Sequence, residues 1–214
     1  MAKMTLHFLN ARDQLSGLRD WLAEVLNTGF DRSAALLPLR DTDVLVKAGE
    51  SVILEKGHLG YAPEPGLIYV TLDPSHTSLR ENADRSIERM LAHELHHSSR
   101  WDGPGYGDTL GAALVSEGLA GHFAQEAFGG QPEPWEKLVV SSLQSYVTRA
   151  QGDWDRAGYD HQAWFFGSAE LPRWLGYSLG YQMVGRYLVE HSHARPSGLV
   201  YQDAEAFRSY LTEV

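Results

Sequence analysis

The sequence predicts an α+β fold: a small N-terminal sheet, with one edge strand over a cleft, followed by a mainly helical half. Three observations carry that reading. Short β-branched runs between Gly and Pro fill residues 43–72, and helical periodicity dominates beyond Pro74. A chain of 214 residues with 43% hydrophobic and 21% charged side chains has the composition and size of one globular domain. That domain spans 1–214, with a mixed α/β lobe over 1–75 and a mainly helical lobe over 76–214.

Residues 4–9 read as a short strand. Asp13 to Val25 carries Leu15, Leu18, Trp21, Leu22 and Val25 at helical spacing. DVLVKAG, SVILEKG and GLIYVTL read as three strands. Pro63 and Pro65 stand just before GLIYVTL and assign it to an edge, because proline donates no ladder hydrogen bond. Ser78, with Glu81 three residues on, makes a capping box, which predicts a helix through Ile87, Met90, Leu91 and Leu95 to about Ser99. WDGPGYGD is a loop. Asp108 or Thr109 then caps a second helix that Gly129 and Gly130 stop after Phe128. Further helices are expected at 134–150, 174–191 and 203–212.

A formal charge of −10, from 18 basic and 28 acidic residues, argues against a nucleic-acid partner. With no cysteine, the fold uses no disulfide, and any metal must be held by nitrogen and oxygen donors. The N-terminal stretch lacks the apolar core of a signal peptide, and no run approaches a membrane span. The expectation is a soluble cytoplasmic protein with no membrane partner.

MLAHELHHSSRW, residues 90–101, concentrates histidine and glutamate in the last turns of the predicted helix. Residues four apart on an α-helix differ by about 40° around the axis, so His93 and His97 project from one face and can reach one ion. Glu94 stands further round, outside the coordination sphere but close enough to take a proton from water at the metal. A catalytic zinc uses three protein ligands and keeps one position open, so a third donor is required. On the second helix Leu110, Ala113, Leu114, Ala120, Gly121, Ala124 and Phe128 form an apolar stripe with Glu117 in its middle. A carboxylate buried there needs an Arg or Lys partner, a proton, or a metal. That helix carries no Lys or Arg, and Gly118, Ala120 and Gly121 permit a close helix approach.

HELHH, followed by the glutamate of SEGLA, resembles the gluzincin metallopeptidases, whose best-known members are thermolysin-like. The resemblance implies a zincin-like fold, His93, His97 and Glu117 as Zn2+ ligands, and Glu94 as general base. The sequence is also similar to a bacterial family described as predicted zinc-dependent proteases, in which LPRWLGYSLGYQMVGRYL, residues 171–188, has a counterpart Gly-Tyr repeat. Thermolysin-like sequences carry an Asp four residues after the third ligand to orient a histidine. Gly121 occupies that place here.

Other residues divide between site and scaffold. His96 faces away from the ligand pair and reads as an orienting or surface histidine. His122 and Glu126 read as a solvent-facing pair on the second helix. Aromatic residues crowd 164–187, mostly as core, yet Tyr177 and Tyr181 each follow a glycine one turn apart. A phenol suits an oxyanion. Tyr177 is the candidate donor, with Tyr181 and His161 as rivals.

The expected function is zinc-dependent cleavage of peptide bonds in a peptide or protein substrate. Zinc lowers the pKa of its water toward about 7, and Glu94 takes the proton and passes it to the leaving amine. A substrate strand would lie along the GLIYVTL edge, with the 101–108 loop and the aromatic segment shaping the pocket. The alternatives are a zinc hydrolase of a non-peptide amide, or a non-catalytic binding module with a structural metal. Glu94 has no use in a structural site.

Overall fold

Alternation at Leu6, Phe8, Val44, Val46, Ile68 and Val70 builds the sheet. The computed structural model describes residues 2–213. Its contacts divide the chain into two units: residues up to Asp102 with Ala127–Gly130, and Gly103–Glu126 with the residues from Gln131 on.

In the first unit, β1 (Met4–Leu9), β2 (Thr42–Ala48), β3 (His58–Glu64) and β4 (Leu67–Leu72) form one sheet in the order β1-β2-β4-β3. β1, β2 and β4 run parallel, and β3 returns antiparallel on β4. The register aligns Leu6, Val44 and Ile68, then Phe8, Val46 and Val70 two residues on, so the period-2 pattern puts all six on one face. Helices α1 (Arg19–Ala34) and α3 (Ser86–Arg100) close the core over that face with Leu22, Leu26, Phe30, Ile87, Leu91 and Leu95. The short α2 (Thr77–Glu81) precedes α3.

The expected edge strand GLIYVTL lies inside the sheet, because β4 pairs with β2 on one side and β3 on the other. The prolines mark the hairpin partner instead. Pro63 falls in β3, which is at the edge, within the register shift between Tyr61 and Glu64. SVILEKG forms turns rather than a strand. The Gly57 N–H closes on the Ile53 carbonyl at 2.9 Å, and Gly57 has a φ of 72°. The first helix begins at Arg19, later than the periodicity suggests, because Asn10 accepts the Leu15 N–H at 2.8 Å and holds the preceding residues in turns.

The capping box at Ser78 does not form, and one continuous helix to Ser99 is replaced by α2, a kink and α3. Asn82, Asp84 and Arg85 all adopt left-handed φ values of 42°, 54° and 56°. Asn82 tolerates that conformation, and its carboxamide serves the start of α3. Its oxygen accepts the Ile87 N–H at 2.9 Å, and its nitrogen donates to Glu88 at 2.7 Å.

The second unit is helical: α4 (Leu110–Phe128, its last two residues counted with the first unit), α5 (Val140–Gly152) and α6 (Leu175–Glu190). Short 3-10 turns at Pro134–Glu136, Pro196–Leu199 and Ala204–Glu213 and a π-helical turn at Gln162–Phe166 complete it. Leu114, Leu119, Phe165, Leu175, Leu179 and Phe207 belong to its core. A Cβ on Gly180 would collide with the Leu114 carbonyl, and one on Gly118 with the Gly180 carbonyl, so α4 and α6 meet backbone to backbone. α4 is buried well beyond the expected stripe, with Val115, Ser116 and Phe123 fully enclosed. Among the described residues no helix is long and apolar enough to cross a membrane.

Candidate metal centre

α3 is buried along most of its length although two-thirds of its side chains are polar, Glu94, His96, His97, Ser98 and Arg100 among them. Polar burial on that scale needs specific partners. Ser98 Oγ accepts the Gly66 N–H at 3.1 Å, and Trp101 Nε1 donates to the Ala62 carbonyl at 3.2 Å, which ties the β3–β4 hairpin to this helix. At the helix start, His58 Nε2 and Ser86 Oγ share a hydrogen bond of 2.8 Å. Burial lowers the His58 pKa to about 3.

His93 and His97 meet one turn apart, Nε2 to Nε2 at 3.0 Å, with their rings edge-on at 80°. Zinc–nitrogen bonds of about 2.0–2.1 Å at tetrahedral angles bring two ligand nitrogens to about 3.3 Å, so little movement separates this pair from a coordinating one. Glu94, 8% exposed, lies beneath β3. A Cβ at Gly60 would stand 2.5 Å from Glu94 Cγ and 2.8 Å from its Oε1, so only glycine lets the strand run this close to the carboxylate.

On α4, Glu117 is 7% exposed, and Tyr106 of the preceding loop donates to its Oε1 at 2.8 Å. Ser116 Oγ donates to the Tyr106 carbonyl at 2.9 Å. Burial first, and then the negative charge of Glu117, push the Tyr106 pKa well above its usual value, so the phenol stays protonated as a donor. Tyr159 is raised likewise by burial and Glu117. The space that a side chain at Gly121 would fill holds the carboxylate of Glu136, a buried residue whose Oε2 accepts the Glu133 N–H at 2.6 Å. An acid therefore does stand at that point of α4, supplied from the Pro134–Glu136 turn rather than from the helix.

His93, His97 and Glu117 form a group that could hold a metal ion, with one candidate ligand atom from each and all of these within 4.8 Å of one another. Two imidazole nitrogens and a carboxylate oxygen are a donor set that suits zinc.

A family model described as "Predicted Zn-dependent protease (DUF2268)" matches residues 22–209. The chain belongs to this family. A relative by sequence is the Bacillus subtilis (strain 168) protein described as "Uncharacterized protein YjfC", 30% identical over 157 residues, which cover 64% of this chain. The match takes in 50% of that relative, so the chain spans about half its length. No solved structure matches the chain.

The remaining residues singled out in this DUF2268 chain fall into place around the second unit. Tyr177 is half-buried among aromatic rings, 5.0 Å from Phe165 and 5.8 Å from Trp174 between centroids. His161 shares a 3.0 Å hydrogen bond with the Tyr159 hydroxyl and stacks on Phe165, and its pKa is lowered by burial against the opposing pull of Glu117 and Asp160. Tyr181 donates its hydroxyl to Gln125 and stacks on His122 at 4.0 Å.

His96 is fully buried, which removes the surface alternative given for it. One surface expectation is corrected. His122 and Glu126 do not face solvent as a pair: His122 Nε2 donates to the Tyr181 carbonyl at 2.9 Å, and Glu126 accepts the N–H and hydroxyl of Ser197 at 2.8 and 2.7 Å. Tyr106, Tyr159, Glu136 and Gly60 were missed in the sequence. For Tyr106 the one available signal was a lone aromatic between glycines in GPGYGD.

Proposed function

We propose that the protein is a zinc-dependent peptidase of zincin-like architecture, with zinc held by His93, His97 and Glu117. The observation that carries this reading is the grouping of those three ligand atoms within 4.8 Å, with Glu94 next to His93 on the same helix. Zinc bound there supplies a Lewis acid that polarises the scissile carbonyl and acidifies water. Glu94 accepts a proton from the attacking water and returns it to the leaving amine. Its contact with Gly60 holds the carboxylate close under β3. Tyr177 donates a hydrogen bond from its hydroxyl to the developing oxyanion, with Tyr181 and His161 as rivals for that role.

A peptide or protein substrate adds a strand along the outer side of β3, the sheet edge that runs over Glu94. That alignment favours a peptide over a smaller amide, since main-chain hydrogen bonds to an edge reward an extended backbone.

The test joins metal analysis of the purified protein to hydrolysis of a mixed peptide library by the wild type and Glu94→Ala. About one zinc per chain in both, with cleavage reduced in the variant by about 100-fold or more, supports the reading. Equal zinc and equal cleavage in the two proteins removes Glu94 from the chemistry. Full zinc without cleavage by the wild type removes the peptidase assignment.

A further inference from the structure

We propose that Tyr106 is a positioning residue for the third metal ligand: its phenol holds the Glu117 carboxylate in the orientation that binds zinc and thereby sets the metal affinity. The inference rests on the reading of Glu117 as a ligand and goes beyond it, because neither the spacing of the motif nor the family description gives Tyr106 a part in holding a metal ligand.

Three observations support it. Tyr106 donates to Glu117 Oε1 at 2.8 Å, so one carboxylate oxygen is fixed in direction and with it the plane in which the other is presented. The loop is tied down at the neighbouring helix residue, where Ser116 Oγ donates to the Tyr106 carbonyl at 2.9 Å. The Tyr106 main chain and its phenol are thus bonded to consecutive positions of α4, Ser116 and Glu117. Tyr106 also sits between Gly105 and Gly107, whose φ values of 73° and 93° give the loop a turn that side chains on either flank would resist. This geometry serves to deliver one hydroxyl to one carboxylate.

The chemistry of the donor matters as much as its place. A guanidinium or ammonium beside Glu117 would orient it equally well, but would repel a divalent cation and neutralise the charge that attracts it. A phenol orients through a hydrogen bond and leaves the formal charge of the carboxylate intact. Tyrosine is therefore suited to a carboxylate that is to remain a ligand, whereas arginine is suited to one that is to be neutralised.

The test measures zinc affinity by chelator competition, together with the visible spectrum of the cobalt-substituted protein, for the wild type, Tyr106→Phe, Ser116→Ala and Glu117→Gln. The expected result is a zinc affinity lowered by about 10- to 100-fold in Tyr106→Phe, a smaller loss in Ser116→Ala, and a cobalt spectrum altered in both. Should Tyr106→Phe fail to fold, Ser116→Ala carries the test on the same two readouts. Wild-type affinity and an unchanged cobalt spectrum in the folded variants, with Glu117→Gln impaired, would overturn the positioning role while leaving the zinc reading intact. If Glu117→Gln binds zinc as tightly as the wild type, both fall together.

Discussion

At the scale of single residues, the buried histidines make a pH prediction whose sign follows from their environment. His58, lowered to about 3, and His122, lowered to about 4, are neutral in the folded protein, while in the unfolded chain each takes up a proton near 6.5. Their contribution to stability is complete above pH 6.5 and is lost as pH falls toward the folded values. Each adds a slope of about 1.4 kcal/mol per pH unit over that range. The urea midpoint should therefore fall between pH 6.5 and 5, and a His58→Gln variant should show a shallower fall by about one proton. An equal slope in the variant would mean that His58 is solvated and titrates normally. The same residue scale shows what the sequence conceals. His93, Glu94 and His97 are legible because helical spacing alone forces them together, and Glu117 because an acid stands in the middle of an apolar helical stripe. Tyr106 and Glu136 carry no such signal. Each reaches α4 from a loop or a single turn, and no periodicity encodes where a loop places one side chain.

At the scale of elements, β3 and α3 act as one piece of the site. The strand passes over Glu94 at a position where any Cβ would meet the carboxylate stem. Gly60→Ala should leave the sheet folded and zinc affinity within about twofold of wild type. On the role proposed for Glu94, hydrolysis should fall by about tenfold or more, because a misplaced general base slows proton transfer without touching the proposed ligands. Unchanged turnover would show that Glu94 has room to move aside and still work. Strands β1, β2 and β4 were readable because alternation is a local property, and so was the reach of α4 from its terminal glycines. The placement of β4 inside the sheet was not, since the proline rule applies to the strand that contains the proline and Pro63 lies in β3. The break at Asn82 is not legible for a related reason: apolar spacing continues across 79–95 and does not register three residues in the left-handed region.

At the scale of the whole molecule, metal and stability are linked. A ligand that binds only the folded chain stabilises it by about 2.7 kcal/mol at 100 times its dissociation constant, which for a protein of this size is about 5–10 °C in Tm. Zinc addition should raise Tm by that order and a chelator should reverse it, in the wild type and in Glu94→Ala but not in Glu117→Gln. An identical shift in all three would point to zinc held elsewhere. Strand order also belongs to this scale. The parallel pairing of β1, β2 and β4 depends on contacts between distant residues, which no local pattern reports. The path of the backbone has a practical outcome. The first unit is completed by Ala127–Gly130, where the Ala127 carbonyl accepts from Arg32 Nε and the Phe128 ring lies 5.6 Å beneath the same guanidinium. No single cut in the gene can release either half whole. A truncation after Asp102 strands Arg32 without its acceptor, and a product starting at Gly103 carries four residues that belong to the missing half.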